Sequence, residues 1–203
     1  MIIDLTHRLN EDTPVFPGDP KLTIQTADTI AEAGYLGHSL SMGTHAGTHI
    51  DAPAHMIEGG KTLDLFTPDT FVGRACYIRV EHGSFDLETV MEADIREGDI
   101  VVFNTDMSYQ FYDEVYFTDY PVMSRQIAEY LVSKKVKMVG VDTCSIDKEE
   151  GFPIHKILLG ANIPAIENLT NLEQLATVSA RIFALPMRLN VDGAPARVIA
   201  EIV

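Results

Sequence analysis

His45-Ala46-Gly47-Thr48-His49-Ile50-Asp51-Ala52-Pro53-Ala54-His55 holds three of the chain's seven histidines in eleven residues. An even spread would put about 0.4 in such a window. On a helix, His45 and His49 share a face about 6 Å apart along the axis, but Asp51 points about 200° away from His49. Gly47 and Pro53 also oppose a helix. On a flat strand, positions 45, 49, 51 and 55 face one way. His45 and His49 would then lie about 13 Å apart, too far to share a metal with bonds of ~2 Å. An extended segment bent near Gly47 answers both objections. Alternation aims the side chains inward, and the glycine brings them together. Pro53 then fixes the turn that presents His55.

Imidazoles with a carboxylate suit zinc, manganese or iron. Three protein ligands leave a coordination position open for water. A metal lowers that water's pKa to about 7 in the best cases. A histidine just outside the ligand set can move protons. A second set lies downstream, His155 and Glu167, near Asp142, Asp147, Glu149 and Glu150. Taken singly, His155 reads as an ordinary helix-start residue. Glu167 follows the apolar run Ile163–Ile166, where a strand-end carboxylate could face a cleft. Two further readings stay open on the residues alone. His49, Asp51 and His155 fit the 2-His-1-carboxylate spacing of a mononuclear iron oxygenase, which leaves His45 and Glu167 without a role. A closed, non-catalytic metal site is the other, and it has no use for His55.

The 203 residues suit one domain, residues 1–203, with no Ser/Gly linker to divide them. A chain this long hides roughly 70% of its unfolded surface on folding and needs no disulfides for a core. Hydrophobic residues at 46% and charged residues at 22% fit a globular protein and exclude disordered, collagen-like and coiled-coil classes. The net charge of −15 disfavours nucleic acid and anionic membrane surfaces as partners. Cys76 and Cys144 show no C-x-x-C spacing, so they read as reduced, partly buried thiols. The first residues carry no basic stretch followed by an apolar run, and no segment approaches the ~20 apolar residues that span a bilayer. The expectation is a cytoplasmic protein. Gly60-Lys61-Thr62 resembles the end of a phosphate loop, but the required first glycine position is His55. Gly43 and Gly47 do not make a dinucleotide fingerprint.

Strand-type runs recur at Ile2–Leu5, Leu22–Thr26, Ala75–Val80, Ile100–Asn104, Lys137–Asp142, Arg181–Leu185 and Arg197–Val203. Leu22–Thr26 alternates as a half-buried strand does. Ser124 can cap a helix carrying Ile127, Ala128, Leu131 and Val132. Asp86 can cap a short helix through Val90 and Met91, and Lys156–Gly160 reads as another. Thr170 and Glu173 have capping-box spacing. Thr13–Pro20 reads as an ordered turn region. The pattern predicts an α/β (α+β) domain with a mixed sheet and few helices.

The eleven-residue segment matches the H-x-G-T-H-x-D-x-P-x-H signature without departure. The chain therefore resembles the metal-dependent cyclase-like hydrolases, a family that includes bacterial kynurenine formamidase (arylformamidase) and is related to isatin hydrolase. Ile3-Asp4-Leu5-Thr6-His7 resembles the family's opening strand. Pro14-Val15-Phe16-Pro17-Gly18-Asp19 resembles its substrate-side loop. Val139–Asp147 resembles the strand and turn before its second metal-binding stretch. The resemblance implies a swivelling β/β/α fold with a mixed β-sheet core, in a homodimer or homotetramer. It also implies two divalent metal ions, zinc first and manganese second. His45, His49 and Asp51 would hold one ion; Asp51 would bridge to another completed by His155 and Glu167. Hydroxide on the metal would attack a non-peptide C–N bond of a small amide, formamide or lactam, with His55 as proton shuttle. Phe16 would line the substrate pocket. Kynurenine formamidases tend to carry tryptophan there; phenylalanine keeps the stacking face but lacks the indole N–H. An arylformamidase is the activity expected, with an isatin hydrolase-like lactam hydrolase as the alternative.

Overall fold

The computed structural model describes residues 1–203. In chain order the strands are β1 (Ile2–Asp4), β2 (Thr23–Asp28), β3 (Gly37–Ser41), β4 (His49–Asp51), β5 (Val72–Arg79), β6 (Ile100–Asn104), β7 (Met138–Val141), β8 (Ala165–Glu167), β9 (Ala180–Pro186) and β10 (Gly193–Ile202). The α-helices are α1 (Ile30–Ala33), α2 (Leu87–Glu92), α3 (Val115–Thr118), α4 (Arg125–Ser133) and α5 (Pro153–Gly160). No helix is long and apolar enough to cross a membrane.

The unbroken apolar run of β6 explains the architecture. A strand apolar on both faces must be covered on both. Ile100 and Val102 join the cluster that contains Ile50, Ile166, Ile182 and Val198. Val101 and Phe103 join a second cluster with Val90 of α2, Ile127 and Leu131 of α4, and Ile154 and Leu158 of α5. The first cluster fills the inside of a curled sheet. The second cements helices to its outside.

β5, β6, β7 and β8 run parallel, and the other pairings are antiparallel. β10 closes the sheet. Its first residues, Gly193–Pro195, pair with β4, while Ala196–Ile202 pair with β9 along the other edge. The ring β10-β4-β8-β7-β6-β5-β9 is thus continuous, and β1 extends the β4 side of β10 at Ile199–Glu201. Closure removes the exposed edges that open sheets must protect.

Two caps form as the sequence predicts. The Ser124 side chain accepts from Ile127 N–H at 3.3 Å, and that of Asp86 accepts from Thr89 N–H at 2.8 Å. Several local expectations need correction. The strand expected over Leu22–Thr26 begins one residue later, as β2: Leu22 is buried and Ile24 half-buried between exposed Thr23 and Gln25, as the alternation predicts, while the rest of β2 is mostly exposed and pairs only with β3. β3 carries no apolar alternation and was not readable as a strand. α5 begins at Pro153 rather than Lys156, since Asp147 accepts the N–H groups of Ile154 and His155 and caps the earlier turn. The Thr170–Glu173 capping box does not form. Asn171 is left-handed and its amide donates to the Asp4 carbonyl, while Thr170 N–H bonds Leu5, so only a short 3-10 turn follows.

Candidate metal centre

Gly47 makes the bend. Its φ is +61°, and a Cβ there would meet Leu9 Cδ2 at 2.4 Å. From this bend the chain enters β4, which pairs β8 in a register that sets His49 directly opposite Glu167. Pro53 starts the 3-10 turn that ends at His55. His155 projects from the first turn of α5, third in a helix whose start Asp147 anchors. The two sequence-distant sets therefore meet.

Asp51 is central. Its Oδ1 lies 2.7 Å from His45 Nδ1 and 3.2 Å from His49 Nε2. His155 Nε2 stands 3.6 Å from Asp51 Oδ2 and 3.2 Å from Glu167 Oε1. Glu167 Oε2 is 3.6 Å from His49 Nε2. Asp51, His49, His155 and Glu167 are buried, whereas His45 and His55 are partly open.

The histidines are oriented from behind. His49 Nδ1 donates to the Gly47 carbonyl at 2.8 Å, a carbonyl that also accepts from Asn168. His155 Nδ1 faces Asp147 at 3.3 Å. Both therefore aim Nε2 inward, the arrangement outer partners impose on metal-binding imidazoles. Glu167 accepts from Ile146 N–H at 3.0 Å. Burial alone would neutralise these groups, but their neighbours win. Asp51 and Asp192 raise the His45 imidazole to about 10 against its burial. Burial likewise opposes charge on Asp51, yet His49 and His45 hold its carboxyl well below the usual range. His155 is raised, against its burial, by Asp147, Asp51 and Glu167.

The cluster suits a cation. Asp51 Oδ2 is buried with no hydrogen-bond partner, the nearest imidazole nitrogen, His155 Nε2, standing 3.6 Å away, and a buried carboxylate oxygen left without a hydrogen bond costs free energy. Ligand atoms of His49, Asp51 and Glu167 lie within 4.8 Å of one another, as do those of His45, Asp51 and His55. Imidazole and carboxylate donors together suit a divalent metal ion.

A cleft of about 240 Å³ opens onto the cluster. Phe16, Met56, Phe117 and Phe152 supply its apolar walls, with His45, His49, His55, His155 and Glu167 at its floor. Phe16 meets Phe117 edge-on at 6.4 Å. Cys76 and Cys144 are free and buried. Sequence reasoning passed over Asp192, which contacts both His45 and His55. Its only local signal was the Asp192-Gly193 turn dipeptide.

A closed mixed barrel with a buried histidine–carboxylate cluster beneath an apolar cleft is the framework of a metalloenzyme. Residues 3–148 match the family model described as Putative cyclase, and the chain belongs to that cyclase family. Kynurenine formamidase from Geobacillus thermodenitrificans (strain NG80-2) is 30% identical over 203 residues, covering 96% of this chain and 94% of the relative. The structure of isatin hydrolase A from Ralstonia solanacearum superposes with a TM-score of 0.86 at 25% identity, covering 98% of this chain and 91% of that one. A "predicted metal-dependent hydrolase" from Bacillus stearothermophilus superposes with a TM-score of 0.80 at 30% identity, covering 98% and 97%.

Proposed function

We propose that this protein is a metal-dependent hydrolase of a non-peptide C–N bond, with an arylformamidase of the kynurenine formamidase type as the first assignment. The alternative within the family is opening of a lactam such as isatin. The observation that carries the reading is the buried Asp51 Oδ2, without a hydrogen-bond partner among His45, His49, His155 and Glu167, beneath an aromatic cleft. His45, His49 and Asp51 would hold one divalent ion; Asp51, His155 and Glu167 would hold a second. Zinc is proposed, with manganese as the alternative. When bound, such ions supply an acidified water and polarise a carbonyl oxygen.

The chain's own residues supply the rest. Phe16, Phe117 and Phe152 stack against an aryl group and exclude water from the floor. His55, at the cleft's inner edge, takes the proton released as the C–O bond forms. It returns that proton to the amine nitrogen as the C–N bond breaks. The products are an acid and an amine. A single-iron triad would leave His45 and Glu167 idle, although Glu167 lies against both His49 and His155.

Residues 1–203 would act as one unit, in a homodimer or homotetramer. The uncovered β2–β3 hairpin, with Ile30, Tyr35, Leu36 and Leu40 exposed, supports association, since a two-stranded hairpin is marginal alone. The buried free thiols accord with a cytoplasmic setting. The test is turnover of N-formylkynurenine and isatin by purified enzyme, with and without a chelator. Activity on either that a chelator abolishes and zinc or manganese restores is expected. Turnover surviving complete metal removal would overturn the reading.

A further inference from the structure

Asp192 stands in the turn between β9 and β10, and it does not line the cleft. It sits behind two histidines that do. Its Oδ2 lies 2.9 Å from His45 Nε2 and 3.3 Å from His55 Nδ1. Its Oδ1 accepts from the Thr44 hydroxyl at 3.2 Å. The backbone is held as firmly: the Asp192 carbonyl accepts from Ala52 N–H at 2.8 Å, and Gly193 is registered opposite Asp51. Gly193 permits the approach, because a Cβ there would lie 2.6 Å from His45 Cε1. One carboxylate is thus anchored by a threonine, by its own backbone and by a glycine, and it shares one oxygen between two imidazoles whose centroids lie 4.1 Å apart, tilted by 37°.

We propose that Asp192 is a positioning residue for His55. By accepting from Nδ1–H it selects the tautomer in which Nε2 is the basic nitrogen facing the cleft, and it fixes the ring plane. A neutral imidazole has one donor and one acceptor nitrogen, so whatever bonds the donor chooses which nitrogen can exchange protons. His55 has no other hydrogen-bond partner for its ring, so without Asp192 it can rotate and populate the other tautomer. The shared oxygen also ties the proton carrier to His45, so the two rings keep a constant separation. This role rests on the reading of His55 as proton carrier, and the experiment separates the two.

The experiment is a double-mutant cycle of Asp192→Asn and His55→Ala in metal-loaded enzyme. It reads kcat, KM and metal content, with a 15N NMR spectrum of the imidazoles in the zinc form. Asp192→Asn is expected to lower kcat about 10- to 100-fold, as loss of an orienting partner does, with KM within about threefold. Because Asp192 also lies 2.9 Å from His45, kcat is read at saturating zinc, where metal content should equal that of the parent, and the His55 resonances should shift toward a tautomer mixture. Asp192→Glu should recover part of kcat. In the His55→Ala background, Asp192→Asn should cost nothing further. The proposal is overturned if the two losses multiply, if Asp192→Asn strips metal in proportion to lost activity, or if the His55 tautomer does not change. Should His55→Ala alone leave kcat intact, the proton-carrier reading fails and this role with it. A loss in His55→Ala without one in Asp192→Asn sinks only the role of Asp192. If Asp192→Asn does not fold, Thr44→Val replaces it in the same cycle, with a smaller loss expected in the same direction.

Discussion

His49 and Glu167 face each other across the antiparallel β4–β8 ladder, and their side chains approach to 3.6 Å. A backbone register, rather than a flexible loop, therefore joins the two halves of the site. Sites set on paired strands hold their groups more closely than sites on loops. Glu167→Gln keeps the shape and an oxygen for Ile146 N–H but removes the charge. The expected outcome is loss of about one metal equivalent per chain and a fall in kcat beyond the ~100-fold typical of outer-sphere partners. Metal analysis beside steady-state kinetics checks it. Full metal content in an inactive variant would instead give Glu167 a role apart from ligation.

The bend at Gly47 makes its own prediction. Gly47 and Gly59 both adopt positive φ, +61° and +69°, but a Cβ at Gly47 strikes Leu9 whereas one at Gly59 meets open space. Gly59→Ala should cost only the left-handed backbone, about 1–2 kcal/mol. Gly47→Ala should cost that plus the small extra needed to turn the terminal methyl of half-buried Leu9 aside, and Leu9→Ala in the same chain should remove the extra. Urea unfolding of the metal-free proteins measures it, and equal costs for the two glycines would refute the steric argument.

Much of this was legible because some stretches are read by local rules. β6 appears with its predicted bounds because four consecutive strand-forming residues, Ile100–Phe103, admit little else and Asn104 ends the run, and Ser124 and Asp86 cap where their spacing to the apolar face requires. The Gly47 bend was legible too, since neither helix nor flat strand could gather its histidines. What was not legible is long-range. Barrel closure depends on β10 pairing with β4 and β9, and no local pattern in Gly193–Ile202 names its partners. Asp192 was hidden for the same reason: a lone acid in a turn gains its meaning only when β10 lays it beside His45 and His55. Thr170 and Glu173 show the converse, a local signal overridden when tertiary bonds to Leu5 and Asp4 claimed the backbone.

Phe16 carries the substrate prediction. It is 38% exposed and meets Phe117 edge-on, so one face remains for a ligand. Phe16→Ala should raise KM about tenfold for aryl formamides, near the upper value of an aromatic pair, with kcat little changed. That pattern marks loss of binding shared by ground and transition states. An alkyl formamide should show little change in KM. Equal effects on both substrates would mean that Phe16 shapes the loop rather than the aryl site.

His7 sets an acid limit on stability. Its ring stacks on Phe111 at 3.8 Å, and its Nε2 is buried without a partner. Burial lowers its pKa to about 4 from the ordinary 6.5. The unfolded chain therefore binds a proton at this position near pH 6.5, and the folded chain only near pH 4. Between those values the unfolded state holds more protons, so stability rises with pH. The contribution is complete above about pH 6.5 and is lost as pH falls through the window toward 4. At pH 5 the loss should be about 1–2 kcal/mol relative to pH 7. His7→Phe keeps the stack and cannot titrate, so its urea midpoint should fall less between pH 7 and pH 5 than the parent's. If the two proteins lose stability in parallel over that interval, His7 is not the group responsible.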